Sequence, residues 1–207
     1  MRPCRTGSRR AARRSWARLT GARLQVLPSR IALYETWLAD PPDTLVLSTE
    51  TGLVRRYELD AFAGYAEILE DGRFPFTVDQ EVQDDDRLPT AAIVLALDDG
   101  ARAVVYPLEE LGNAAVHDSF EGQDVVIFSS LDGHAGAVFA PAVDGMPLTF
   151  AWDDGAWVDG ETSSRWNLGG RAIDGPLAGS QLTALPSRTA FWFSIRAVFE
   201  TIDIVRE

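Results

Sequence analysis

Apolar positions along this chain fall in short alternating runs separated by Asp-Gly pairs, a pattern that predicts strands joined by tight turns. Residues 92–97 and 101–106 surround Asp99-Gly100, and residues 137–140 and 147–152 surround Asp144-Gly145. The last of these runs turns at Asp154-Gly155 into Ala156-Trp157-Val158. Asp and Gly both tolerate positive φ, so the pair suits hairpin centres. In residues 147–152, Leu148, Phe150 and Trp152 share one face of a strand, and Thr149 and Ala151 share the other. Residues 124–128 end in four consecutive apolar positions, as expected of a central strand buried on both sides. Short strands also fit residues 44–48, 171–173 and 202–205.

Helical signals are few. Ser29 is placed to cap a helix through about residue 39, stopped by Asp40-Pro41-Pro42. A similar helix is expected from Ser187 to about residue 199, and Pro107 opens a single turn through Leu111 that Gly112 ends. The predicted fold is mainly β, a β-rich α+β arrangement. Its antiparallel meander forms a sandwich or partly open barrel with two or three short helices.

A second pattern runs across the whole chain. Gly21 to Ala32 returns as Gly179 to Ala190, seven of twelve positions identical at an offset of 158, with Leu-Pro-Ser-Arg shared at 27–30 and 185–188. Copies so far apart exclude a short solenoid repeat. They predict the tail of one unit followed by a complete one. Residues 21–48 then resemble the tail of a preceding repeat unit, within a single β-rich domain over 21–207, and the chain is expected to lack an earlier unit.

Charge changes the picture at the start. All nineteen basic residues are Arg, and nine lie in residues 1–30 with no acid, leaving ten Arg against thirty-one acids afterwards. Residues 1–20 read as an Arg-rich disordered or artefactual segment. Nucleic acid is not favoured as a partner, because the acidic body repels phosphates. No apolar run approaches a membrane span, and no uninterrupted apolar stretch follows Arg9-Arg10 to make a secretory signal. One cysteine, Cys4, allows no internal disulfide.

Candidate chemistry is sparse. His117-Asp118 pairs a base with a carboxylate, yet neighbours on a strand point to opposite faces. The candidate catalytic residues are His117, Asp118, Asp159, Glu161 and Ser163; the candidate metal ligands are His117, His134 and Asp132. No nucleophile-elbow glycines surround Ser163-Ser164, and no zinc spacing or phosphate-cradling glycine loop occurs, so no cofactor is predicted. Asp84-Asp85-Asp86 lacks the alternating pattern of a calcium loop and reads as a solvated loop. In residues 159–166 the preferred reading is a turn in which Asp and Thr side chains satisfy backbone amides while Trp166 anchors the core.

An ordered series of phrases carries a family resemblance. It begins with Trp37-Leu38-Ala39-Asp40-Pro41-Pro42-Asp43-Thr44-Leu45-Val46-Leu47-Ser48 and continues through Arg56-Tyr57, Gly64-Tyr65, Asp86-Arg87-Leu88-Pro89 and His117-Asp118. Glu161-Thr162-Ser163-Ser164-Arg165-Trp166 and Gly175-Pro176-Leu177-Ala178-Gly179 complete it. Over about residues 20–205 the chain resembles the bacterial and archaeal family called domain of unknown function 3179. The resemblance implies relatives that are often exported and often carry two related units. It also implies a Cys-Pro-Leu-Cys-type segment in the earlier unit, where this chain has Ser129-Ser130-Leu131-Asp132. Two readings of function stay open. The preferred one is a non-catalytic β-rich binding or interaction domain, its partner a missing upstream repeat unit or another copy of itself. The alternative is a metal-assisted or acid–base enzyme using His117, Asp118 and the loop of residues 159–166. Ligand and compartment are left open.

Overall fold

The computed structural model describes residues 27–39, 45–60, 62–74, 77–132 and 134–206. The Arg-rich segment at 1–20 lies outside the described residues, as does Thr44 of the strand expected at 44–48.

Three four-stranded sheets are stacked, with apolar side chains filling the two spaces between them. The first is built on the hairpin β1 (Ile93–Asp98) and β2 (Arg102–Pro107). Its turn forms because the Asp99 carboxylate accepts from the amides of Ala101 at 2.7 Å and Arg102 at 2.8 Å, beside Gly100 at φ +88°. From β2 the chain passes through one helical turn, α4 (Leu108–Leu111), into the middle sheet. Strands β3 (Ala114–Phe120), β4 (Gln123–Ser130) and β5 (Ala135–Ala140) lie there side by side, with β4 in the centre. The unbroken apolar run of β4 follows from that position: Val125 and Ile127 face β1 and β2, while Val126 and Phe128 face the third sheet.

A small hairpin, β6 (Ala142–Val143) and β7 (Met146–Pro147), carries the chain across to β8 (Phe150–Asp153), β9 (Ala156–Asp159), β10 (Arg165–Trp166) and β11 (Ala172–Asp174). Phe150, Trp157 and Trp166 pack there against Phe128 and Phe139 of the middle sheet, with Phe128 stacked on Trp157 at 4.7 Å. The sequence pattern at Asp144-Gly145 predicts that residues 137–140 pair with 147–152. Instead β5 is buried on both faces and pairs with β4 and β12 (Thr183–Ala184), so the turn serves only the short β6–β7 hairpin.

The chain closes by returning to the first sheet. Strand β13 (Arg188–Phe191) pairs antiparallel with β1, and β14 (Thr201–Ile204) pairs parallel with β2. These two edge strands run the same way, so a crossover is required, and the helix α5 (Trp192–Arg196) supplies it. Trp192, Ile195 and Phe199 are buried against Val94, Ala96, Ala103 and Val105. The helix expected from Ser187 starts five residues later, and residues 188–191 pair with the edge of β1 as a strand. Likewise the first helix, α1 (Tyr34–Ala39), starts beyond Ser29. Two further helices, α2 (Tyr65–Glu70) and α3 (Gln80–Gln83), precede β1. The fold is thus β-rich with mostly antiparallel sheets, which close no barrel among the described residues.

Candidate functional site

The densest polar cluster forms where β9 ends. Asp159 sits opposite Phe150 of β8, and the chain then makes a tight loop closed by Asp159 N to Ser164 O at 3.1 Å and Ser163 N to Asp159 O at 3.0 Å. The Asp159 side chain, 1% exposed, points into that loop. Its carboxylate accepts from Thr162 N at 2.5 Å, Thr162 Oγ1 at 2.8 Å, Ser164 N at 3.1 Å and the Trp166 indole Nε1 at 2.9 Å. The relay continues outward: the buried Ser164 hydroxyl accepts from Leu177 N at 3.0 Å and shares a hydrogen bond with Thr162 Oγ1 at 2.7 Å. Gly175, at φ +90°, makes room for the hydroxyl, since a Cβ there would lie 2.7 Å from Ser164 Cα. Burial alone raises the pKa of the Asp159 carboxyl, but the donors from Trp166, Thr162 and Ser164 outweigh it and hold the pKa below the ordinary carboxylate value. Asp159 is an anion neutralised by dipoles, with no lone-pair direction left open toward a cleft.

Beside it, Glu161 grips Thr149 with both oxygens, accepting from the backbone N at 2.8 Å and from Oγ1 at 3.0 Å. The next amide, Phe150 N, donates to His117 Nε2 at 2.8 Å. An acceptor Nε2 in the neutral ring leaves the proton on Nδ1. His117 and Glu161 therefore meet consecutive residues where the chain enters β8, and together they tie β3 and the β9–β10 loop to the start of that strand. Ser163, exposed and at φ +59°, forms the crest of the loop.

Asp118 faces the other way, as strand geometry requires. It accepts from the Tyr106 hydroxyl at 2.7 Å and from Ser119 N at 2.6 Å. Burial first, and the Asp118 carboxylate second, push the Tyr106 phenol well above its usual range, so it stays a donor. His134 and Asp132 lie at the β4–β5 turn, four or more residues along β4 from Val126, the residue facing His117. There Asp132 N donates to Ser130 Oγ at 3.2 Å, and His134 adopts φ +46° with a buried Nδ1 that has no hydrogen-bond partner. Among the described residues, no three His, Cys, Asp or Glu side chains are grouped to hold a metal ion.

One polar network has no local sequence signal. Within the acidic run, Asp85 accepts from Arg87 Nη2 at 2.8 Å and from Arg196 Nε at 2.8 Å. The Arg87 guanidinium lies 5.0 Å from the centre of the Trp192 ring and also donates to Ile202 O at 3.2 Å. The Arg87 hydrogen bond is the main cause holding the Asp85 pKa low. Asp98 pairs with Arg188 across the β1–β13 edge. Arginines thus fasten the chain's closing segment to the body over separations of 90 and 111 residues.

A small cavity of about 90 Å³ lies between Pro28, Ser29 and Arg30 on one side and Ala184, Leu185 and Ser187 on the other, over β5. It falls below the roughly 300 Å³ of an ordinary small-molecule site.

The family model described as "Protein of unknown function (DUF3179)" matches residues 11–201, most of the chain. No curated protein and no solved structure matches.

Proposed function

The chain belongs to that family of unknown function, and from this premise we propose that it is a non-catalytic binding or interaction domain. One contrast carries the reading. The polar side chains that resemble catalytic groups hold the fold, while apolar side chains spread between residues 45 and 62 face water. Asp159, Glu161 and His117 each bind backbone amides of neighbouring strands or loops. In the other direction, Leu45, Leu47 and Val54 are at least 95% exposed, and Leu53, Leu59 and Phe62 are more than half exposed. Uncovered apolar surface of this extent marks an interaction site.

The test compares a triple variant with the wild-type chain. Replacing Leu45, Leu47 and Val54 with Ser is expected to abolish binding of an apolar surface probe such as anilinonaphthalene sulfonate and to leave Tm unchanged. Probe binding that persists at the wild-type level contradicts the reading.

The alternative is the metal-assisted or acid–base enzyme using His117, Asp118 and residues 159–166. It draws on one observation: His117 and Glu161 converge on consecutive amides of residues 149 and 150. It predicts stoichiometric Zn²⁺ or Mn²⁺ binding that His117→Ala removes, or a hydrolytic activity that His117→Ala and Glu161→Gln remove without loss of Tm. Finding either effect favours the enzyme over the binding domain.

A further inference from the structure

Seven Asp-Gly pairs punctuate the chain, and each places a carboxyl group beside the amide of a residue without a Cβ. Such an amide can attack the preceding side chain, because the ring it closes is nearly free of strain and glycine puts nothing in the way. Folding decides which pairs are set up for the attack. Asp159 is buried, and its oxygens accept from Thr162, Ser164 and Trp166. Asp99 turns its Oδ1 past Gly100 to the amides of Ala101 and Arg102. Asp71 pairs with Arg73. Asp144 and Asp154 are held in tight turns at φ +50° and +40°. Gly133, which follows Asp132, lies outside the described residues.

Asp174-Gly175, at the end of β11, is arranged differently. Both residues are exposed. The Gly175 amide donates to Oδ1 of its own neighbour Asp174 at 2.8 Å. The carbon it would attack, Cγ, is one C–O bond from that oxygen, so nitrogen and carbon lie within about 4 Å of each other. A small rotation brings them to the roughly 3–3.5 Å at which an intramolecular reaction begins. The other side of the glycine is clamped. At φ +90° it lies so close to Ser164 that a Cβ would fall 2.7 Å from Ser164 Cα, and two residues later Leu177 N donates to Ser164 Oγ at 3.0 Å. The pair is therefore both poised and anchored.

We propose that Asp174-Gly175 is a self-modification site, where the folded chain closes to a succinimide and reopens as isoaspartate. In the first step the Gly175 nitrogen bonds to Cγ of the protonated Asp174 carboxyl. The Cγ–O bond breaks, and the hydroxyl leaves as water with the amide proton. In the second step water adds to the original main-chain carbonyl carbon of Asp174 and the bond from that carbon to the Gly175 nitrogen breaks. Nothing is oxidised or reduced, and the water lost is regained. The main chain then runs through Cβ and Cγ, one methylene longer, and the carboxylate sits on Cα. The extra length enters where Gly175 has no room to move against Ser164. Leu177 is drawn away from Ser164 Oγ, and the relay of donors that ends at Asp159 loosens. The proposal goes beyond the interaction reading and is independent of it, since none of the exposed apolar residues at 45–62 takes part.

The deciding experiment ages the full chain at neutral pH and physiological temperature, folded in one sample and unfolded in guanidinium chloride in another. Peptide mapping by mass spectrometry, with enzymatic methylation of isoaspartate, reads each Asp-Gly pair. Unfolded, the pairs should react at similar rates, because only local sequence remains. Folded, Asp174 is expected to keep at least about half its unfolded rate, while Asp99 and Asp159 slow by about tenfold or more. A slowing at Asp174 as large as at Asp99 and Asp159 overturns the proposal. Asp174→Asn keeps the shape and offers ammonia as a better leaving group, so isoaspartate should form at 174 about tenfold faster in the folded variant. Its absence there also overturns the proposal. Asp174→Glu, which would need a larger ring, should give no product at 174. The converted wild type should melt about 5 °C below fresh protein, and Asp174→Glu aged alongside it should show no such fall. Converted chains that melt with the fresh ones would overturn the claimed loosening of the relay.

Discussion

The two Leu-Pro-Ser-Arg segments lead to helices at matching positions, yet one helix lies in the core and the other at the surface. Trp192 is sealed under Arg87 and packed on β1 and β2, while Tyr34 is more than half exposed. The comparison separates two causes. Local sequence sets where each helix begins, because the same spacing from Ser-Arg recurs. Burial differs with the setting: the later segment pairs with the edges of β1 and β2, whereas among the described residues 27–39 and 45–48 form no strand.

The strongest way to break the comparison is to remove the buried partner. Trp192→Ala should cost about 4 kcal/mol, since it empties a core position, and Tyr34→Ala should stay within about 0.5 kcal/mol. Urea unfolding of both variants checks this, and equal losses would erase the distinction. Next comes the polar cluster that locks the third sheet. Asp159→Ala strands the Trp166 indole and the Thr162 and Ser164 donors, and should cost about 3 kcal/mol. Asp85→Ala leaves Arg196 without its carboxylate beside the closing helix. A loss of about 1–2 kcal/mol is expected there, because the network is partly open to water.

The pH dependence should be smaller and of definite sign. Asp159 and Asp85 both have pKa values held below the ordinary one, so each favours the folded state above about pH 4, the unfolded value. That contribution is lost as pH falls from there through the folded values. The urea midpoint of wild type should therefore drop more steeply below pH 4 than that of either alanine variant, and parallel profiles would show that these carboxylates hold nothing.

What the sequence made legible was local. The turns at Asp99-Gly100 and Asp154-Gly155, the central strand through Phe128 and the single turn after Pro107 all depend on residues within a few positions of one another. In residues 159–166 the Asp159 carboxylate does satisfy turn amides and Trp166 is fully buried, because the donors are close neighbours of the acceptor, whereas the Thr162 hydroxyl bonds the Asp159 and Ser164 side chains and no amide. Illegible were features fixed by distant partners. His117 gains its role from an amide 33 residues away, and Asp85 gains its from an arginine 111 residues away. Residues 188–191 form a strand on the edge of β1, nearly a hundred residues earlier. Nothing in the spacing of Asp144-Gly145 revealed that the chain changes sheets there.

Residue-resolved hydrogen exchange on the intact chain tests the central contrast most directly. The amides of β13 and β14 should exchange only through global unfolding, and those of residues 45–48 at nearly unprotected rates. Protection at Leu45 to Leu47 comparable with that at Ile202 to Ile204 would mean that the earlier segment is held as firmly as the later one, and would contradict the account.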